Sequence, residues 1–410
     1  MSSTRITFPN KSGQILSAVL EQPADGQAVA HALFAHCFTC SKDLRAARHI
    51  SRSLVNAGYA VLRFDFTGLG QSEGEFENTS FSTNQGDLES AFEWLKEHLE
   101  APALLIGHSL GGTALLHTAS RLEGVKAIAT IGSPFDPGHV AHLFAETTEE
   151  IKARGEATVE IGGRPFNIKK SFLDDLERTD CAELVANLDA ALLVMHSPID
   201  TIVSIDNAAR VFQAARHPKS FVSLNSADHL LSQEEDAKYV GAVLGAWASR
   251  YLDIPVQNVK GREEGAHQVT VKTGTDHFYT EIIANGHSLV ADEPTYLGGT
   301  NLGPTPYDML LSALGACTAI TVRMYADRKE WPLEDIQVAL VPSQVQAKDC
   351  VDCGLPEDAK GRVYLIERQV KLTGKDLTPD MVKRIMEIAD RCPVHRTLVD
   401  QTVIKTSLVD

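Results

Sequence analysis

Gly107-His108-Ser109-Leu110-Gly111 sets a serine hydroxyl between two glycines. The apolar run Ala103–Ile106 before it reads as a strand, and Gly111–Ser120 after it reads as a helix. Ser109 therefore falls on a sharp strand-to-helix turn, where its neighbours must lack side chains that would clash. Its Oγ stands clear at the helix N-terminus, whose dipole favours developing negative charge. A serine hydroxyl is a poor nucleophile until a base takes its proton. A base and an orienter follow in the order Ser…Asp…His: Asp200 after the run Ala191–Val194, and His229 after Phe221–Leu224. Both lie at strand C-terminal ends, where open α/β sheets gather their ligands. His229 would hold the Ser109 proton, and Asp200 would fix the imidazole tautomer and orientation. Asp136 is the alternative acid; Asp228 adjoins His229 and so points elsewhere; His108 is read as packing.

Acyl transfer also needs donors for the tetrahedral oxyanion. One is the N–H of Leu110, directly after the nucleophile. The second is expected from the loop His36–Cys40 that follows the strand His31–Ala35, with Phe38 the first choice and Cys37 the alternative. Cysteines form a second group of reactive side chains. Cys317 and Cys392 stand apart, while Cys37-x-x-Cys40 and Cys350-x-x-Cys353 are pairs. A zinc site needs four ligands, so each pair is half of one, and the two fall in different expected domains. They are read as loop thiols without a metal. Cys181 carries no functional reading.

The elements that must position these groups alternate. Strand-like runs at His31–Phe34, Tyr59–Phe64, Ala103–Ile106, Ala127–Ile131, Ala191–Val194 and Phe221–Leu224 are short and apolar on both faces, as buried parallel strands are. Helical patterns lie between them, so the fold class is α/β with a mostly parallel sheet. The alternation breaks at about 134–188, where the composition turns polar; an insertion there would sit above the sheet as a lid. A polar stretch at 256–265 reads as a linker between a first domain, 1–255, and a second, 266–410. The second has an α+β rhythm: three strand-like runs, a long helix from Pro306 to about Lys329, two strands, a helix at Pro379–Arg391 and a last strand at Asp400–Leu408. The long helix is apolar around nearly its whole axis and must be buried all round. A domain of that size with few other helices cannot cover it, so a homodimer through this domain is expected.

The chain has 410 residues, enough for two domains. Its 38 basic residues against 54 acidic ones give a net charge of −16, which disfavours nucleic acid as a partner. Residues 1–14 carry no apolar signal core. The most apolar run, Met309–Val322, is too short for a membrane span. With an odd seven cysteines and no need of structural disulfides, a cytoplasmic location fits best.

Residues 1–255 resemble the α/β-hydrolase family with a lid. The resemblance rests on the His36 loop, the stretch Arg63-Phe64-Asp65-Phe66-Thr67-Gly68-Leu69-Gly70-Gln71-Ser72, the Ser109 turn, Asp200 and His229. The Arg63–Ser72 stretch is similar to that family's R-x-D-x-x-G-x-G-x-S segment, which implies that Asp65 ties nearby loops together. The early loop commonly reads His-Gly; here it is His36-Cys37, which brings sulfur to the oxyanion site. Residues 260–410 resemble the OsmC family, on Gly303–Cys317 (GPTPYDMLLSALGAC) and Ala389–His395 (ADRCPVH). The whole chain is similar to the α/β-hydrolase/OsmC fusions. This resemblance implies an intertwined dimer, a peroxidatic Cys317 and a resolving Cys392. It also implies a Glu ten positions before the first cysteine, where Tyr307 stands with Asp308 beside it, and an Arg from an early strand. His267–Ala291 holds no Arg, leaving Arg323, Arg391 and Arg396 as substitutes.

The function expected is a serine esterase acting through an acyl-Ser109 intermediate on small-molecule esters, with no metal or organic cofactor. Short or medium acyl groups come first and aromatic esters second. The alternative is an organic hydroperoxide thiol peroxidase with the hydrolase domain accessory. A non-catalytic binding module is the third reading, and the full set Ser109, Asp200 and His229 argues against it.

Overall fold

The computed structural model describes residues 2–161, 164–176, 181–252, 269–275, 277–347, 361–400 and 402–408. They divide into two compact units, Met1–Val290 and Ala291–Asp410. The expected linker, 256–265, lies outside the described residues, as do Cys350 and Cys353.

The first unit opens with β1 (Ser2–Pro9) and β2 (Ile15–Gln22), then β3 (Ala30–Ala35), α1 (Arg45–Asn56), β4 (Tyr59–Phe64), α2 (Phe81–His98), β5 (Leu104–His108), α3 (Leu110–Thr118) and β6 (Ala127–Ile131). The expected lid segment follows: a 3-10 stretch at Pro137–Thr147, α4 (Thr148–Arg154), the hairpin β7 (Glu156–Ile161) and β8 (Arg164–Lys169), α5 (Lys170–Leu176) and α6 (Cys181–Ala186). The main sheet resumes with β9 (Ala191–His196), α7 (Asp206–Ala214), β10 (Lys219–Ser223) and α8 (Glu234–Ala248). Its eight strands run in the order β1-β2-β4-β3-β5-β6-β9-β10. β1 and β2 pair antiparallel, as do β2 and β4; the other pairings are parallel.

The sheet carries two cores because both faces are covered. Leu33, Leu105 and Ile128 face one cluster with α2, α3 and α7, while Ala32, Phe34, Leu104 and Ile106 face the other with α1 and α8. Alternate residues thus point to opposite faces, and both sets are predominantly apolar. The chain steps from β3 to β4 in one direction and then returns past β3 to β5. β3 and β5 are therefore neighbours at the point where strand order reverses. A crevice opens there beyond the strand ends, which is where such sheets bind ligands.

β1, β2 and the lid hairpin were not among the expected strands. Ser2–Pro9 is an edge strand of mostly exposed polar residues, so it lacks the apolar run of a central strand. In β7 the alternation of buried Ala157, Val159 and Ile161 is diluted by charged neighbours.

A three-stranded antiparallel sheet follows: β11 (Val269–Thr273), β12 (Thr280–Ala284) and β13 (His287–Ala291). The second unit then holds α9 (Pro306–Arg328), the long hairpin β14 (Asp335–Gln346) and β15 (Arg362–Thr373), α10 (Pro379–Ala389) and α11 (Pro393–Val399). The architecture is α+β, as read from the sequence. α9 starts where its chemistry directs: Pro306 opens the helix, Thr305 accepts the Asp308 N–H, and Asp308 accepts the Thr305 N–H in return. Only one stripe of α9 is buried, through Leu311, Leu314, Thr318, Val322 and Ala326. Ile320 and Met324 are 59% and 68% exposed. α9 has 23 residues and outruns the apolar stretch 309–322; among the described residues it is the one helix long and apolar enough to cross a membrane. The strand expected at Asp400–Leu408 is a correction: 402–408 belong to no element, and α11 ends before them at Val399.

Candidate active site

Ser109 sits between β5 and α3 with φ 54° and ψ −130°, a region a non-glycine residue occupies only under constraint. The neighbouring glycines supply that constraint. A Cβ on Gly107 would lie 2.3 Å from Gly112 Cα, one on Gly111 would lie 2.4 Å from the His36 carbonyl, and one on Gly112 would lie 2.0 Å from Ser133 Oγ. The turn can therefore press against the helix start, the β3 loop and the β6 loop at once. Ser109 N–H donates to the Ile131 carbonyl (2.8 Å), fixing the turn against β6.

The three residues read from the sequence come together. Ser109 Oγ lies 3.0 Å from His229 Nε2, and His229 Nδ1 lies 2.8 Å from Asp200 Oδ2. Asp200 Oδ1 accepts the N–H groups of Ile202 (2.8 Å) and Val203 (2.9 Å). Burial pushes the Asp200 carboxyl up, but the His229 ring and these two amides outweigh it and hold the group below the usual carboxylate range. Asp136 does not join the set; its carboxylate accepts the Gly138 N–H. Asp228 turns away and accepts the Ser232 N–H.

Three buried histidines brace the loops that carry these groups. His36 Nδ1 lies 2.8 Å from the Cys37 carbonyl, His108 Nε2 lies 2.7 Å from the His229 carbonyl, and His196 Nε2 lies 2.8 Å from the Val203 carbonyl. Each ring nitrogen must donate to its carbonyl. Burial lowers all three pKa values, that of His108 to about 3. His108, read from the sequence as packing, thus also holds the backbone of His229.

The oxyanion candidates lie on adjacent elements, Leu110 at the first position of α3 and Phe38 in the loop after β3. Neither N–H donates a hydrogen bond among the described residues. The Phe38 ring packs against Phe76 and Phe172, with centroids 5.5 Å and 5.6 Å away. Cys37 and Cys40 are joined as a disulfide across Phe38 and Thr39. This corrects the sequence reading of the pair as loop thiols: the Cα atoms are 5.3 Å apart, within bridging range.

Asp65 works as its segment implied. It accepts from Lys42 N and Lys42 Nζ (both 2.6 Å) and from Gln71 N (2.9 Å), tying the end of the Cys40–Asp43 loop to the Gly68–Ser72 turn. Gly70, at φ +58°, passes so close that a Cβ would lie 2.3 Å from the Asp65 carboxylate. Arg63 pairs with Glu21 (2.8 Å) and donates to the Lys42 carbonyl.

A cavity of about 510 Å³ opens onto Ser109 and His229, within the ordinary range for small-molecule sites. Phe38, Leu44, Leu110, Val140, Ile161 and Leu230 give it apolar walls, and the lid segment adds His139 and Arg164.

In the second unit, Cys317 is partly exposed on α9, and Cys392 is buried at the start of α11. Neither is in a disulfide. A cation that was not among those expected enters their hydrogen-bond network. Arg323 donates to the Leu333 and Glu334 carbonyls instead. Arg368 on β15 donates to Thr318 Oγ1 (3.0 Å), which lies 3.7 Å from Cys392 Sγ, and it also pairs with Asp390. Its signal was present in the sequence: Arg368 interrupts the inward row Ile366, Val370 and Leu372 of the strand. Among the described residues no group of three His, Cys, Asp or Glu is placed to hold a metal ion.

Comparison with known proteins assigns the two parts separately. The family described as serine aminopeptidase, S33, matches residues 41–163, and the family described as OsmC-like protein matches residues 299–407. The crystal structure of an esterase domain from a Rhodothermus marinus protein is 55% identical, with a TM-score of 0.52; the match covers 62% of this chain and 100% of that one. The mouse alpha/beta hydrolase domain-containing protein 10 shares the fold at 22% identity, with a TM-score of 0.52, over 60% of this chain and 99% of that one. In sequence, the Mus musculus palmitoyl-protein thioesterase ABHD10, mitochondrial, is 29% identical over 187 residues, which are 44% of this chain and 62% of that protein. The chain thus spans about three-fifths of the length of the curated relatives it first matches.

Proposed function

Since the chain belongs to the α/β hydrolases and carries an OsmC-like domain after its hydrolase domain, we propose that it is a serine esterase working through an acyl-Ser109 intermediate. The observation that carries this reading is the hydrogen-bonded chain Ser109–His229–Asp200 at the mouth of an apolar cavity. His229 takes the Ser109 proton as Oγ attacks the ester carbonyl. The resulting oxyanion turns toward the unused N–H groups of Leu110 and Phe38. His229 then gives its proton to the departing alkoxide. Water, deprotonated by the same ring, releases the acid and restores the serine. Asp200, held ionised, stabilises the imidazolium at each step. All the groups this needs are the chain's own.

The apolar walls take the acyl side of the substrate. Short or medium acyl esters are the first class, aromatic esters the second, and the thioesterase relative adds acyl thioesters. A panel of p-nitrophenyl esters and acyl thioesters of rising chain length ranks these classes. Ser109→Ala is expected to lower turnover by a factor on the order of 10³ or more, with fold retained. Turnover that survives the substitution would contradict the assignment.

A second reading concerns the other domain. Arg368 donates to Thr318, whose hydroxyl lies 3.7 Å from Cys392 Sγ, so a cation belongs to the hydrogen-bond network of this thiol. This supports hydroperoxide reduction with Cys317 as the peroxidatic and Cys392 as the resolving thiol. The full chain should consume cumene hydroperoxide with a dithiol reductant, and Arg368→Ala should slow it about tenfold. No consumption by the native chain would remove the reading.

A further inference from the structure

We infer that the Cys37–Cys40 disulfide is a thiol–disulfide exchange site through which a dithiol reductant turns the hydrolase down. This rests on the proposed roles of Ser109 and of the Phe38 N–H. The bridge closes a four-residue ring around the loop that would supply the second oxyanion donor. Inside that ring Thr39 is held at φ +62°, a conformation that disfavours a β-branched residue. Three constraints act on it: the Cys40 N–H donates to the Cys37 carbonyl across the turn (3.1 Å), the exposed Arg164 donates to the Thr39 carbonyl (2.5 Å), and the bridge closes the same turn covalently. The bridge is the one covalent part of the constraint.

The two sulfurs differ in access. Cys37 is buried at the end of β3, 2% exposed, and its carbonyl is held by His36. Both residues line the cavity that opens onto Ser109, but Cys40 is the half-buried, more accessible of the two. An attacking thiolate therefore reaches Cys40 from the cavity. It forms a mixed disulfide there, the S–S bond breaks, and Cys37 leaves with the electron pair and takes a proton. The second thiolate of the same dithiol displaces Cys40, which is protonated in turn, and the reductant departs as its own disulfide. Two electrons and two protons pass to the protein. With the ring open, Thr39 relaxes toward negative φ and the Phe38 N–H turns away from the oxyanion. Loss of one such donor lowers kcat by roughly 10²–10³ where it has been removed outright, so a fall of at least about tenfold is expected.

The test uses the full chain. It is treated with dithiothreitol, its thiols are alkylated and mapped by peptide mass, and p-nitrophenyl acetate turnover is followed in parallel. The expected result is a kcat that falls at least about tenfold in step with labelling at Cys37 and Cys40, with KM little changed, and that returns after oxidised glutathione. Cys40→Ser should sit at the low rate and ignore dithiothreitol; should that variant fail to fold, the native chain's own titration decides. Full labelling at Cys37 and Cys40 with unchanged kcat overturns the inference, and so does a bridge that stays closed in excess dithiol. An oxidised chain with no turnover at all is a different result, and it removes the hydrolase reading itself.

Discussion

The chemistry of the candidate site resides in a few atoms whose surroundings leave them little choice. Ser109, His229 and Asp200 were legible because their order and their places after strands are properties of the sequence. The disulfide was not, because a C-x-x-C pair reads equally as thiols, half a metal site or a bridge until the loop geometry is known. Arg368 shows as a break in the inward row of β15, but its partner does not: it lies 50 residues from Thr318 in sequence and meets it only in the fold. His108 was misweighted. Its ring is buried and its Nε2–H holds the His229 carbonyl, so it positions the base. His108→Phe keeps the volume and drops the donor, leaving the part-buried His229 carbonyl without this partner. We expect kcat to fall about tenfold with KM nearly constant. Because the His108 pKa lies at about 3, the ring is neutral throughout the working range, and the acid limb of the pH–rate profile should not move. Unchanged kcat would return His108 to simple packing.

At the scale of elements, parallel strands were easy to read and edge elements were not. Strands buried on both faces are continuous apolar runs, whereas β1 and β7 are diluted by polar residues that face outward. The helix at Pro393–Val399 was not expected, although its start is signalled locally: Cys392 caps it and Pro393 opens it. α9 was read as apolar all round, and the structure covers one stripe of it. The open face, with Ile320 and Met324, supports the expected homodimer through this domain: exposed apolar helix surface of this length is covered by a partner in stable proteins. Ile320→Glu with Met324→Glu should convert a dimer to a monomer in light scattering while esterase activity persists. A native chain that is already monomeric at micromolar concentration contradicts the proposal.

For the whole molecule, the two-part organisation was legible because each part carries its own motif set. The linker expected at 256–265 lies outside the described residues, and the two compact units divide at 290/291. The net charge of −16 argues against nucleic acid as a partner. The account turns on one covalent event in the first domain. Rapid quenching of the full chain during turnover of a slow p-nitrophenyl ester, followed by peptide mass mapping, tests it most directly. The account predicts an acyl group on the peptide containing Ser109, absent from Ser109→Ala and strongly reduced in His229→Ala. An acyl group found on another residue, or steady turnover in Ser109→Ala, would contradict it.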